Sequence, residues 1–196
     1  MTTTRRYELR KRAERQQETR RRIVEATVAL HSELGPARTS VSAIAERARV
    51  QRHTVYSHFP DERELVMACS GLHLQRRPLP DPEPLLDVDD PLERVQRAVA
   101  LLYAYYAENE GLLANIMRDI EDHETTQWVV GVRIAPVLGR MHEILVAGFR
   151  ARGRRRERVA AAVAVALDFH TWRTLHRAGL DATAAAQTAT AMTRCQ

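Results

Sequence analysis

Seven of the eight residues from Gln51 to His58 carry polar, hydrogen-bonding side chains: Gln51, Arg52, His53, Thr54, Tyr56, Ser57 and His58. Only Val55 among them is aliphatic. Gln51 and Arg52 are the pair best suited to reading base edges, because a Gln amide pairs bidentately with adenine and an Arg guanidinium with guanine. Hydroxyls and imidazoles beside them suit phosphate oxygens, which position a protein on a duplex without reading its sequence. A short helix with so much polar surface is poorly built for a core and well built to lie in a groove. His58 also has metal-ligand chemistry, but no second ligand stands at a supporting spacing.

The elements that must position this segment lie on either side of it. Ser42 to Phe59 reads as two short helical patterns with almost nothing between them. Ile44, Ala45 and Ala48 carry the first pattern, Ala48-Arg49-Val50 makes a turn, and Gln51 to His58 is the second. Val55 should face inward and Phe59 should pin the helix end to a core. This is the layout of a helix-turn-helix, whose second helix enters the DNA major groove. A preceding helix starts at Thr19, with Ile23, Thr27, Leu30 and Leu34 on one face, and Gly35-Pro36 stops it. Thr39 is expected to cap the next helix. Asp61 starts another, with Glu64 at capping-box spacing and Leu65, Val66, Ala68, Cys69 and Leu72 on its apolar side.

Ile23 to Ala26, Thr39, Ile44-Ala45, Ala48, Val50, Thr54-Val55-Tyr56, His58-Phe59-Pro60 and Glu64-Leu65 together resemble the DNA-binding domain of the TetR (tetracycline-repressor-like) family. The run TVYSHFPDERELV is its most specific part. The resemblance implies phosphate contacts from Thr54, Tyr56 and His58, and from the hydroxyl region at Thr39 and Ser40, where capping alone is the other reading. The family often has Gly at the positions of Arg49 and His53 and Lys at that of Glu62. A Lys there can hold a phosphate and Glu62 cannot, so that role is not carried over. Residues 1 to 18 are basic and polar, and two readings stay open. One is a frayed extension; the other is an arm using Arg5, Arg6, Arg10, Lys11 and Arg12 on phosphates or the minor groove.

Charge supports the division. Residues 1 to 77 hold 16 basic and 9 acidic side chains, net +7, whereas residues 78 to 196 hold 14 and 16, net −2. A polyanion is the implied partner of the first part. Five prolines between Pro78 and Pro91 break the chain, so the expected domains are 17–77 and 90–196. The whole reads as all-α with about nine helices. The second domain begins with Asp90 as cap and Pro91 at the first helical position. It contains a long apolar helix from about Thr125 to Arg150, kinked at Pro136. It closes with alanine-rich helices over about Arg155–Ala178 and Ala182–Arg194, with Gly179 ending the first and Asp181 capping the second. The resemblance implies that these last two form a homodimeric four-helix bundle, and Ala185 and Ala189 are expected at its seam. Six arginines from Arg150 to Arg158 read as a solvated loop.

The resemblance also implies a pocket for a small-molecule effector of unknown identity in the second domain. Tyr103, Tyr106, Met117, His123, Trp128, Phe149, Asp168, His170 and Trp172 are its candidate lining, each with core packing as the competing role. Asp168 and His170 stand two apart on different helix faces. Phosphate-loop, nucleophile-elbow and HExxH patterns are missing, so no enzyme and no cofactor are expected. Cys69 and Cys195 have no metal-ligand spacing and are expected reduced in a cytoplasmic protein without a membrane span. The function implied is a ligand-responsive repressor that binds an inverted-repeat operator as a dimer. An activator, a nonspecific architectural DNA-binding protein and a helical interaction protein are the alternatives.

Overall fold

The computed structural model describes the backbone of residues 2–194 and the side chains of residues 6–194. Among the described residues it is all-helical, with eleven α-helices. These are α1 (Thr2–Glu33), α2 (Val41–Ala48), α3 (Arg52–His58), α4 (Glu62–Arg76), α5 (Pro91–Glu108), α6 (Glu110–Asp119), α7 (Glu124–Arg133), α8 (Ala135–Gly148), α9 (Gly153–Leu167), α10 (Phe169–Arg177) and α11 (Ala182–Ala191). Short 3-10 turns occur at Pro36–Arg38 and Glu83–Asp87.

The two helices beyond the expected nine arise from two breaks. Pro136 lies in the first turn of α8, where its missing N–H is tolerated, so it starts a new helix rather than bending a continuous one. Asp168 leaves the helical region and accepts hydrogen bonds from the amides of His170 and Thr171, at 2.8 and 3.0 Å. It therefore ends α9 and caps α10. The expected caps at Asp90 and Asp181 are present, each accepting an amide three residues on. The cap of α2 is Ser40 rather than Thr39: Ser40 Oγ accepts from the Ala43 amide, while Thr39 Oγ1 donates to the Gly35 carbonyl.

The chain divides into two compact units. The first contains residues 1–76 and 114–129; the second contains 77–113 and 130–196. In the first unit, Ile23, Val24, Ala26 and Leu30 of α1 pack with Ile44, Ala45, Val55, Phe59, Leu65, Val66 and Val129. Leu34, expected on the same face, is 42% exposed, because α1 ends one residue earlier. Residues 114–129 hold the far end of α1. Asn115 donates to the carbonyls of His31 and Ser32, Arg118 donates to that of Leu34, and the Asp119 carboxylate accepts the Ala37 amide at 3.0 Å. These contacts satisfy groups that a helix end leaves unpaired.

In the second unit, α5 is central. Val95, Ala98, Val99, Leu102 and Tyr103 are all fully buried, with Met141 and Leu145 of α8, Val159 and Val163 of α9, and Ala189 of α11. The alanines of α11 let it approach α5 closely. Among the described residues no helix is long and apolar enough to cross a membrane.

Candidate nucleic-acid interface

The turn between α2 and α3 needs a left-handed residue, and Arg49 supplies it at φ 55°, ψ 50°. Its amide and that of Val50 return to the carbonyls of Ala45 and Glu46, closing α2 in a C-terminal turn that usually uses glycine. A non-glycine residue there costs about 1–2 kcal/mol. His53 lies inside α3 with ordinary helical geometry, so glycine's freedom is not required at that position. Arg22 of α1 donates to the Ala48 carbonyl at 3.2 Å, fastening the turn to α1.

Helix α3 is anchored on one side only. Val55 is 1% exposed and Phe59 3%. The Arg20 guanidinium stacks 4.5 Å from the Phe59 ring centre, which ties the end of α3 to α1. Gln51, Arg52, His53, Tyr56 and Ser57 are exposed, and Thr54 and His58 are half-buried. Among the described residues no carboxylate lies within ion-pairing distance of Arg52, so its guanidinium is available. Ser57 Oγ donates to the His53 carbonyl at 2.8 Å, which leaves its lone pairs but not its proton for another partner. Ser40 is exposed but engaged as the cap of α2, and Thr39 is half-buried with its proton on Gly35.

Glu62 has a role inside the unit. It accepts from Thr125 Oγ1 at 2.9 Å and lies 3.4 Å from His123 Nε2. Nearby, His31 is buried, with Nδ1 3.7 Å from Cys69 Sγ. Burial and then the neighbouring His123 push its pKa down to about 4 against the opposing pull of Asp119. Burial disfavours the Asp119 carboxylate, yet the Arg118 hydrogen bond, the Ala37 amide and the charges of Arg118 and Arg38 outweigh it. Its pKa ends below the usual carboxylate value. Asn115, Arg118 and Asp119 gave no signal in the sequence, because their partners lie more than 80 residues away.

The nine residues suggested for an effector pocket fall in both units. Met117, His123 and Trp128 belong to the first unit. The other six belong to the second. There Tyr103, Tyr106 and Trp172 are core residues. Tyr103 and Tyr106 donate to the carbonyls of Ala166 and Leu167, at 3.0 and 2.7 Å, and so satisfy the end of α9. Burial pushes both phenol pKa values up, and the Asp168 charge adds to this. Tyr106, Phe169 and Trp172 form a ring cluster with centroids 5.3–5.9 Å apart. Phe149 is half-buried, and Asp168 and His170 are exposed. Cys195 lies outside the described residues.

Residues 23–69, which span part of α1, the helix-turn-helix and the first half of α4, match the model of the bacterial regulatory proteins of the tetR family. The match identifies a tetR-type domain over those residues. The chain is also similar to the HTH-type transcriptional repressor KstR of Mycolicibacterium smegmatis, at 38% identity over 64 residues. That alignment covers 33% of this chain and 31% of KstR, so the chain matches about a third of that relative's length. The fold extends further. A TetR-like transcriptional regulator from Rhodococcus sp. RHA1 superimposes with a TM-score of 0.59 at 19% identity, over 89% of this chain and 93% of that one. PfmR, a TetR family transcriptional regulator from Thermus thermophilus, gives 0.58 at 22% identity, over 88% and 94%.

Proposed function

We propose that this protein is a sequence-specific DNA-binding transcriptional regulator, a dimeric repressor whose operator is an inverted repeat. The observation that carries the reading is α3, pinned by Val55 and Phe59 while Gln51 and Arg52 stand exposed at its start. Gln51 and Arg52 read base edges; Thr54, Tyr56, His58 and the Thr39–Ser40 region hold phosphates, with His53 and Ser57 beside them. One such helix reads few base pairs. Two, related by a twofold axis, read half-sites roughly 34–36 Å apart or a multiple of that. A dimer seated near a promoter excludes polymerase. A small apolar effector in the second unit, near the Tyr106–Phe169–Trp172 cluster, would release DNA only by binding the non-DNA conformation more tightly.

The test is a titration of the DNA upstream of the protein's own coding region against scrambled DNA of equal length, at physiological salt. Saturable binding to the upstream fragment alone is expected. Equal binding to both would indicate an architectural protein, and no binding to either an interaction protein. On the operator, Arg52→Ala should cost about 1–3 kcal/mol and relax preference at one base position. Equal losses on every sequence would make Arg52 a phosphate contact instead.

The dimer is proposed to form through the last helices, but through residues other than Ala185 and Ala189. Ala185 and Ala189 are 1% and 0% exposed, turned into their own unit. A bulky residue there would disturb the fold before any interface. The exposed apolar strip of α9, Ala161, Ala164 and Val165, is the better seam, and Val165 is 49% exposed. Val165→Arg should convert dimer to monomer in sedimentation equilibrium without loss of helicity. A dimer that survives would place the interface elsewhere.

A further inference from the structure

The first helix does not begin where the domain's core begins. It runs unbroken from Thr2, and every residue from Arg6 to Glu18 is exposed, ahead of the first buried side chain, Ile23. At 1.5 Å per residue this extension projects about 25 Å beyond the core. Its direction is set by two contacts already described: Arg20 stacks on Phe59 at the end of α3, and Arg22 caps α2. Those residues lie level with the helix-turn-helix, so the part of α1 preceding them passes beyond its edge.

Among the described residues, three of the four unpaired cations between Arg6 and Glu18 lie towards one side, and Arg6 lies off it. With 100° per residue, Arg15 lies two turns before Arg22 and within about 20° of it, and Lys11 is within about 20° on the other side. Arg12 lies about 20° from Ile23, in line with the face that packs into the core. Two other arginines are occupied: Arg10 pairs with Glu14, and Arg21 with Glu18 and Glu25. Among the described residues Arg12 and Arg15 have no carboxylate within ion-pairing distance, and the Lys11 ammonium sits 4.6 Å from the Tyr7 ring centre. The side of α1 that faces the helix-turn-helix therefore continues past it as a row of three cations.

We propose that residues 6–18 are a second DNA-contacting element, a rigid helical rail that places Lys11, Arg12 and Arg15 on the phosphates of the duplex flanking each half-site. The inference rests on the DNA-binding reading of α3. Its helical form decides between two kinds of contact. A helix is about 10–12 Å across with its side chains and does not fit a minor groove about 6 Å wide. The contact is therefore with the backbone and carries affinity rather than sequence information. The side chain of Arg5 lies outside the described residues.

The test compares the full-length protein with Lys11→Ala/Arg12→Ala/Arg15→Ala, and with Arg154→Ala/Arg156→Ala/Arg158→Ala as an equal-charge control, on operator and scrambled DNA over a range of salt. Each lost phosphate contact lowers the slope of log affinity against log salt by about 0.9. Because the dimer carries two such rails, the first variant should lower it by between about 2 and about 5, equally on both DNAs, and the control should leave it unchanged. Circular dichroism should show a folded protein, since the altered side chains are exposed. An unchanged slope, an equal effect of the control, or a loss confined to the operator would each overturn the proposal. Because the slope is read on scrambled DNA as well, it stands or falls separately from the operator preference of the parent.

Discussion

Lowering the pH from about 6.5 to about 4 should remove about 3 kcal/mol of folding stability through one histidine, His31. Its imidazole is buried in the first unit, and its folded pKa is about 4 against an ordinary value of 6.5. Between those values the unfolded chain binds a proton that the folded chain does not. Stability is therefore full above pH 6.5 and declines as the pH falls towards 4, below which both states are protonated. At about 1.4 kcal/mol per unit the window gives the stated magnitude. The groups facing His31 are His123, Asp119 and the Cys69 thiol. Asp119, also held below its ordinary value, loses its contribution only at lower pH, as the solution passes through the carboxylate range. Urea unfolding at pH 7, 5.5 and 4.5 should show the decline in the parent, and His31→Leu should flatten it. If the two proteins decline in parallel, another group is responsible.

Gly35→Ala should be comparably damaging, at about 2–5 kcal/mol. Gly35 lies at φ 97°, ψ 159°, a region essentially reserved for glycine, where another residue carries about 1–3 kcal/mol of strain. A Cβ there would also overlap Arg118 Nη2 and Asp119 Oδ2. Arg118 can swing away, at the loss of its bond to the Leu34 carbonyl. Asp119 cannot, because its carboxylate holds the part-buried Ala37 amide, and losing a hydrogen bond to a charged group costs about 1.5–3 kcal/mol more. A double-mutant cycle separates the parts. In an Asp119→Ala background the Gly35→Ala penalty should shrink, since one overlapping group is gone. A penalty below about 1 kcal/mol in the parent would show that the turn relaxes freely.

Both effects sit where residues 114–129 meet the end of α1, and the sequence contains no hint of that meeting. What the sequence did determine is local. The spacing of Ile44, Ala45 and Ala48, the turn at Arg49 and the polar run after it placed α2 and α3 to within a residue. Asp90 and Asp181 were readable as caps because each bonds an amide three residues ahead. Asp168 carries the same local signal, but the apolar positions on either side of it keep the period of one continuous helix, which masks the break.

The tertiary structure decided the rest. It turned Ala185 and Ala189 inward and put the hydroxyls of Tyr103 and Tyr106 on the end of α9. It brought Asp119 to Ala37, 82 residues away. It also carried α1 past the helix-turn-helix as one continuous helix rather than a frayed extension. The physical reason is one of range. Caps, turns and apolar periodicity act between residues within about four positions and leave a pattern in the chain. A buried polar partner is chosen by which surfaces happen to close around it, and any amide or carbonyl of the backbone can fill that role.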